Sequence, residues 1–196
     1  MKNISHYSQP DFYSFTSDSL KLVELACSLP MLNNSKLNIL DLCCGSGVLG
    51  IEAALKLREI DQIEFLELQE EFLIHLKENL FNSELDSISH VTIGSVGDAN
   101  YGSKRFDYIF CNPPYFNKGE GRISPNDKRQ KCRTFEVDDF DILISKASLW
   151  LKNTGYLCLL TRDELALEKY LDKFEITKKE KFSETFLFCL SRLNID

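Results

Sequence analysis

The sequence lacks the long apolar runs that membrane proteins need. No apolar run is long enough to cross a bilayer. The polar N-terminus, residues 1–11, has no apolar core of the kind that a secretion signal contains. A chain of 196 residues with 43% hydrophobic residues fits one domain with a substantial core.

Metal-ligating and disulfide patterns are also missing. No CxxC pair occurs, and the three histidines, His6, His75 and His90, are scattered along the chain. The cysteines other than Cys132 lie in apolar runs, where reduced cysteine behaves as a small hydrophobic residue. We therefore expect no metal site and no disulfides, in a protein of the reducing cytoplasm.

The chain has no overall excess of positive charge. Its net charge of −7 argues against a generally basic nucleic-acid-binding protein. The charge is uneven, however, because residues 118–133 carry +4 and leave −11 for the rest. This basic segment could hold a phosphate backbone or could be a solvated loop, and both interpretations stay open. Its basic residues are Lys118, Arg122, Lys128, Arg129, Lys131 and Arg133.

Short apolar runs alternate along the chain with segments of helical spacing. The predicted strands are residues 37–42, 63–68, 90–95, 106–111, 156–160 and 185–191. Such alternation, with nearly continuous apolar strands, predicts an α/β fold in which helices cover both faces of a parallel sheet. Ligands of these sheets bind at the carboxyl ends of the strands, near the point where strand order reverses. The candidate loops follow Leu42, Leu66, Ser95 and Cys111.

A glycine-rich turn follows the first predicted strand. Gly45 and Gly47 allow the backbone to bend sharply and to approach a ligand closely. Glu67 closes the second predicted strand, where a carboxylate can accept hydrogen bonds from two ribose hydroxyls. No Gly-Lys-Ser or Gly-Lys-Thr sequence follows these glycines, which excludes a P-loop. The negative charge of Asp41 would repel a phosphate and attract the ammonium group of a methionine moiety. The pattern predicts a nucleoside cofactor, with a tight turn that binds nothing as the alternative.

Residues Asn112 to Tyr115 read Asn-Pro-Pro-Tyr and directly follow the fourth predicted strand. The two prolines end the strand and fix its backbone. The Asn112 amide oxygen and the Pro113 carbonyl can accept both hydrogens of a planar NH2 group, which turns the nitrogen lone pair toward a methyl sulfonium. Tyr115 and Phe116 can stack on the ring that carries this nitrogen. The motif predicts methylation of an amino or amide nitrogen, and a plain proline turn is the alternative.

Two of these motifs carry a resemblance to a known family. Asp41 to Gly47 and Asn112 to Tyr115, in this order, resemble class I S-adenosylmethionine-dependent methyltransferases that modify amino groups. Together with segments 12–18 and 115–136, they resemble the tRNA1(Val) (adenine-37-N6)-methyltransferase family over roughly residues 7–191. The resemblance implies a Rossmann-like fold with a seven-stranded, mostly parallel sheet, and S-adenosylmethionine as cofactor. It implies methylation of N6 of adenosine 37 in the anticodon loop of a valine tRNA.

The resemblance also implies roles for individual residues. Asn112, Pro113 and Tyr115 would hold the target adenine. The cofactor residues would be Thr16, Asp18, Asp41, Cys43, Gly45, Gly47, Glu67 and Asn112. The residues that bind the tRNA substrate, in its anticodon stem-loop, would be Tyr115, Phe116, Lys118, Arg122, Lys128, Arg129, Lys131 and Arg133. We expect a monomer with one methyltransferase domain, residues 1–196, whose N-terminal helical segment, residues 1–35, covers the cofactor site.

Some features depart from the family pattern. Cys43 stands where glycine is usual, and the third strand ends at Ser95, which leaves Asp98 as a weak candidate for the acid that often meets the cofactor adenine. Two other functions stay open. A protein glutamine-N5 methyltransferase would use the same tetrapeptide, although such enzymes usually carry a separate helical domain before the first strand. A non-catalytic relative would keep the fold alone.

Overall fold

The computed structural model describes residues 6–30, 32, 36–57, 59–103, 105–115, 125–135 and 140–193. In these ranges one seven-stranded sheet has the order β3-β2-β1-β4-β5-β7-β6. Its strands are β1 (Leu37–Leu42), β2 (Ile60–Glu67), β3 (Ser89–Ile93), β4 (Phe106–Cys111), β5 (Leu151–Thr161), β6 (Phe174–Phe182) and β7 (Thr185–Arg192). Strands β1 to β5 are mutually parallel, whereas β7 runs antiparallel to β5 and β6. The predicted mostly parallel, seven-stranded sheet is confirmed.

Helices cover both faces of this sheet, as predicted. They are α1 (Ser17–Cys27), α2 (Val48–Lys56), α3 (Leu73–Asn82), α4 (Asp127–Lys131) and α5 (Phe140–Trp150). One core cluster joins α1, α2 and α3 to the sheet through residues such as Leu22, Ile51 and Leu76. A second cluster contains Trp150 of α5 together with Ile109 of β4. The strand residues alternate between the two clusters because successive side chains of a strand point to opposite faces.

Two elements differ from the sequence-based prediction. Strand β6 carries five charged residues and only a weak apolar pattern, so the sequence did not reveal it. It lies at the edge of the sheet, where charged side chains are tolerated because one side of the strand faces solvent. The apolar spacing of residues 165–171 predicts a helix, but the structure has only a single 3-10 turn there, Glu168–Tyr170.

The sheet topology places two loops side by side. From β1 the strand order runs outward through β2 to β3, and β4 lies on the other side of β1. Leu42 at the end of β1 pairs with Cys111 at the end of β4. The loops after these residues diverge at the point where strand order reverses, which is where ligands bind in open α/β sheets.

Among the described helices, none has the length and apolar character that crossing a membrane requires.

Candidate cofactor and methyl-transfer site

A cleft lies at the carboxyl ends of β1, β2, β3 and β4. Its empty volume is about 940 Å³, counting space that opens to solvent. The strand-end residues that line it include Cys43, Gly45, Glu67, Gly94, Val96, Asn112 and Pro114. The described residues contain no group of three or more side chains that could hold a metal ion.

Glu67 is the buried acid of this cleft. Its Oε2 accepts a hydrogen bond from the Gly45 amide at 2.8 Å, and its Oε1 accepts one from the Gln69 amide at 2.9 Å. Burial raises the pKa of the Glu67 carboxyl, while these two backbone amides lower it. The two hydrogen bonds fix the carboxyl on the cleft wall with lone pairs left over, as a ribose-binding group requires.

Asp41, one of the expected cofactor residues, lies in β1 near its carboxyl end. Its side chain is fully buried and does not line the cleft. Its Oδ2 accepts a hydrogen bond from the Gly50 amide at 2.7 Å. A Cβ atom at Gly50 would lie 3.0 Å from the Asp41 Cβ and 2.6 Å from the Phe65 ring, so α2 packs unusually close to the sheet. In this geometry Asp41 holds the start of α2.

The turn of residues 43–47 shows why glycine is usual at position 43. Cys43 has φ 59°, in the left-handed region that favours glycine, as do Gly45 (53°) and Gly47 (80°). The Cys43 side chain lines the cleft. Gly45 also lines the cleft, whereas Gly47 does not.

The N-terminal side of the cleft is formed by residues 9–19, called here the N-terminal cover. Gln9, Tyr13, Phe15 and Ser19 line the cleft, and none of them is among the individual cofactor residues that the resemblance implied. The expected residues Thr16 and Asp18 do not line it. They hold the start of α1 instead. The carboxyl of Asp18 accepts hydrogen bonds from the Ser19 amide at 2.9 Å, from the Thr185 hydroxyl at 3.2 Å and from the Thr16 hydroxyl.

The Asn-Pro-Pro-Tyr motif leaves β4 at the floor of the cleft. Asn112 and Pro114 line the cleft, and Pro113 is buried. The Tyr115 hydroxyl donates to the Asn112 Oδ1 at 2.7 Å, and the Asn112 Nδ2 lies 3.5 Å from the Ser19 hydroxyl. Burial raises the pKa of Tyr115, so its hydroxyl keeps its proton at neutral pH. These contacts orient the amide with its oxygen toward Tyr115.

The third strand ends in a turn that lacks an acid facing the cleft. The Ser95 hydroxyl donates to the Asp98 Oδ2 at 2.8 Å. Asp98 is exposed and does not line the cleft, whereas Gly94 and Val96 do. Asp98 therefore closes this turn.

Part of the basic segment lies against the cleft. Lys128 of α4 pairs with Glu71 at 3.2 Å, and the Gln69 Nε2 lies 3.3 Å from the Cys132 sulfur. Lys131 and Cys132 line the cleft, along with Thr134 and Phe135. The side chains of Lys128, Arg129, Lys131 and Arg133 are exposed. Phe116, Lys118 and Arg122 lie outside the described residues.

Comparison with models of known protein families identifies the family of this chain. The family model of the methyltransferase small domain matches residues 25–186, which run from α1 into β7. The chain belongs to the methyltransferase small domain family. The match includes the glycine turn, Glu67 and the Asn-Pro-Pro-Tyr motif, whereas the N-terminal cover precedes it.

Several curated relatives of this methyltransferase domain carry the same name. A tRNA1(Val) (adenine(37)-N6)-methyltransferase of Actinobacillus pleuropneumoniae serotype 5b (strain L20) is 33% identical over 138 residues, covering 70% of this chain and 56% of that protein. The protein of that name from Shewanella sp. (strain MR-4) is 29% identical over 161 residues, covering 75% and 66%. The chain thus spans about half to two thirds of the length of the curated relatives it matches.

Solved structures support the fold independently of sequence. The crystal structure of a candidate RNA methyltransferase from Pyrococcus horikoshii matches with a TM-score of 0.68 at 18% identity, covering 97% of this chain and 94% of that one. The fold is therefore that of class I methyltransferases, as predicted.

The family and its structural neighbours make S-adenosylmethionine the cofactor, which confirms that prediction. The chain's own residues fit this group. The Glu67 carboxyl lines the cleft, where it can accept hydrogen bonds from ribose hydroxyls. The left-handed backbone at Cys43 and Gly45 leaves room for the cofactor to approach the turn closely. Phe15 and Leu49 line the cleft with apolar side chains.

Proposed function

We propose that this protein methylates N6 of adenosine 37 in the anticodon loop of a valine tRNA, with S-adenosylmethionine as methyl donor. The observation that carries the proposal is the Asn112 amide, which lines the cleft and is oriented by the Tyr115 hydroxyl. An amide oxygen has two acceptor sites, and Tyr115 occupies one of them. The other is available to a hydrogen of an incoming NH2 group.

The chain's contribution to the reaction is positioning. The Asn112 amide and the Pro113 carbonyl accept the two amino hydrogens, which withdraws the nitrogen lone pair from conjugation with the ring. When bound, S-adenosylmethionine would supply an electrophilic methyl group from its sulfonium, which becomes S-adenosylhomocysteine as the carbon–sulfur bond breaks. The nitrogen becomes acidic only once it is methylated, and it then loses one proton. The two prolines hold both acceptors on rigid backbone, so little order is lost when the base enters.

Three facts support tRNA as the substrate. The curated relatives are named as tRNA1(Val) (adenine(37)-N6)-methyltransferases. Exposed Arg129, Lys131 and Arg133 lie beside the cleft on an otherwise acidic chain, where they can meet phosphates. A base in an anticodon loop is already largely single-stranded, so moving it into a pocket costs less than flipping it from a duplex.

Transfer of a tritiated methyl group to total tRNA, total protein and DNA, assayed side by side, tests the proposal. We expect label in tRNA with the wild-type protein and none with Asn112→Ala, whose affinity for S-adenosylhomocysteine should stay within about threefold. Label in protein would identify a glutamine methyltransferase and refute the proposal. Label in tRNA that survives in Asn112→Ala would refute the role of the amide.

A further inference from the structure

Arg162 is a charged residue of the methyl-transfer site that the motifs did not indicate. Its guanidinium carbon lies over the Tyr115 ring, 4.9 Å from the ring centroid. Arg162 directly follows β5, whose parallel partner β4 leads into Asn112. Parallel neighbours end at the same edge of the sheet, so Arg162 stands at the edge where Asn112 lies.

The backbone that presents Arg162 is fixed by its neighbours. The Asp163 amide donates to the Thr161 hydroxyl oxygen at 3.1 Å, and the Leu165 amide donates to the Asp163 Oδ1 at 2.9 Å. The nearest carboxylate in sequence is thereby engaged in the turn. Within the described part of the chain, no carboxylate forms an ion pair with Arg162, and its side chain is exposed.

An exposed arginine over an aromatic ring is only weakly held. A phosphate offers the same guanidinium two parallel charge-assisted hydrogen bonds, which are stronger and directional. The arginine stem is flexible, so the guanidinium can exchange the Tyr115 ring for a phosphate without movement of the backbone. A nucleotide whose base lies against Tyr115 brings its own phosphate to this rim.

We propose that Arg162 binds the phosphate of the target nucleotide when its base enters beside Asn112 and Tyr115. This inference rests on the proposed function, since it takes the substrate to be a nucleic acid. It also gives the site a means of selection, because a glutamine side chain has the amide nitrogen that Asn112 could hold but carries no phosphate for Arg162.

The test compares Arg162→Ala and Arg162→Lys with a matched control, Lys169→Ala. Lys169 is also an exposed cation on the connection after β5, but it lies over Tyr170 and pairs with Asp141 at 2.7 Å. Each variant is assayed with an anticodon stem-loop RNA for methyl transfer, and for RNA affinity by fluorescence anisotropy at several salt concentrations. Thermal melting and affinity for S-adenosylhomocysteine report whether the fold and the cofactor cleft are intact.

For Arg162→Ala we expect KM for the RNA to rise about tenfold, with kcat changed by less than about threefold. The slope of log affinity against log salt should flatten by about 0.7, the value for one lost phosphate contact on a single strand. Arg162→Lys should recover part of the affinity because it keeps the charge but not the planar fork. Lys169→Ala should behave as wild type.

Other outcomes overturn the inference. An unchanged salt slope, even with a raised KM, would mean that Arg162 merely supports the Tyr115 ring, and so would a loss confined to kcat. If wild type methylates the RNA and Arg162→Ala does so equally well, only the role of Arg162 fails. If wild type methylates protein and no RNA, the proposed function fails and the inference fails with it.

Discussion

The hydroxyl of Tyr115 donates a hydrogen bond to the amide oxygen of Asn112 across 2.7 Å. This relationship adds a role for Tyr115 to the one that the motif suggests. The ring can stack on a base, while the hydroxyl sets which way the Asn112 amide faces. The two roles are separable because phenylalanine keeps the ring and removes only the hydroxyl.

Tyr115→Phe should therefore lower kcat by about fivefold to tenfold with little change in KM, the effect of losing one orienting hydrogen bond. Steady-state methyl transfer to an anticodon stem-loop RNA measures both constants. Tyr115→Ala provides the comparison and should also raise KM, since it removes the stacking surface. Equal kcat in wild type and Tyr115→Phe would show that the hydroxyl does not orient Asn112 during the reaction.

The Glu67 carboxyl predicts a pH dependence of cofactor binding. Burial raises the pKa of Glu67 above its ordinary value of 4.5, and ribose hydroxyls that donate to it favour the ionised form. Binding then releases a proton, so affinity for S-adenosylhomocysteine should tighten as pH rises through the raised pKa. Calorimetry between about pH 5 and about pH 8 measures this dependence.

Glu67→Gln is the control for that dependence. We expect this variant to bind S-adenosylhomocysteine more weakly and with no tightening in the same pH window, because its side chain does not ionise. Asp41→Asn removes another buried acid, which does not line the cleft, and should keep the tightening. A dependence that survives in Glu67→Gln would assign it to another group.

Mutation of Asp41 tests whether this residue stabilises the fold or contacts the cofactor directly. Since its Oδ2 accepts from the Gly50 amide inside the core, Asp41→Ala should lower the free energy of unfolding by about 1–3 kcal/mol. Asp41→Asn keeps an acceptor oxygen and should lose less. Urea denaturation measures both. A variant as stable as wild type that no longer binds S-adenosylhomocysteine would instead restore the direct contact that the sequence suggested.

The exposed basic residues beside the cleft predict a salt-dependent interaction with RNA. Charge reversal at Arg129 and Lys131 should weaken binding of an anticodon stem-loop and flatten its dependence on salt concentration. Lys36→Glu is a matched control, because Lys36 is exposed and precedes β1 at the opposite edge of the sheet. If both reversals leave the salt slope unchanged, the basic segment is a solvated loop.

The sequence predicted those parts of the site that are local in the chain. The apolar run, the glycine turn and the Asn-Pro-Pro-Tyr motif each carry their information within a few residues, and strand alternation then brings Glu67 and Asn112 to one edge of the sheet. Asp41 shows the limit of such reasoning. A carboxylate beside a glycine turn is compatible both with a ligand and with the first amides of a helix, and the sequence alone does not reveal its hydrogen bond to the Gly50 amide.

The missed residues depend on contacts between distant parts of the chain. Gln9, Tyr13 and Phe15 have no helical or strand periodicity, and they reach the cleft because residues 7 and 8 are anchored elsewhere. The Tyr7 hydroxyl donates to Glu52 at 2.6 Å, and the Ser8 amide donates to Asn79 at 2.7 Å. Arg162 likewise could not be identified from the sequence, because only the pairing of β5 with β4 brings it to Tyr115.

The hydrogen bond between Asp41 and the Gly50 amide has a consequence for the glycine turn that lies between them. It joins β1 to α2, and the close approach of Gly50 to Phe65 joins α2 to β2. The turn of residues 43–47 is therefore held from both of its ends. Its left-handed backbone at Cys43 and Gly45 is in this way preorganised for a ligand.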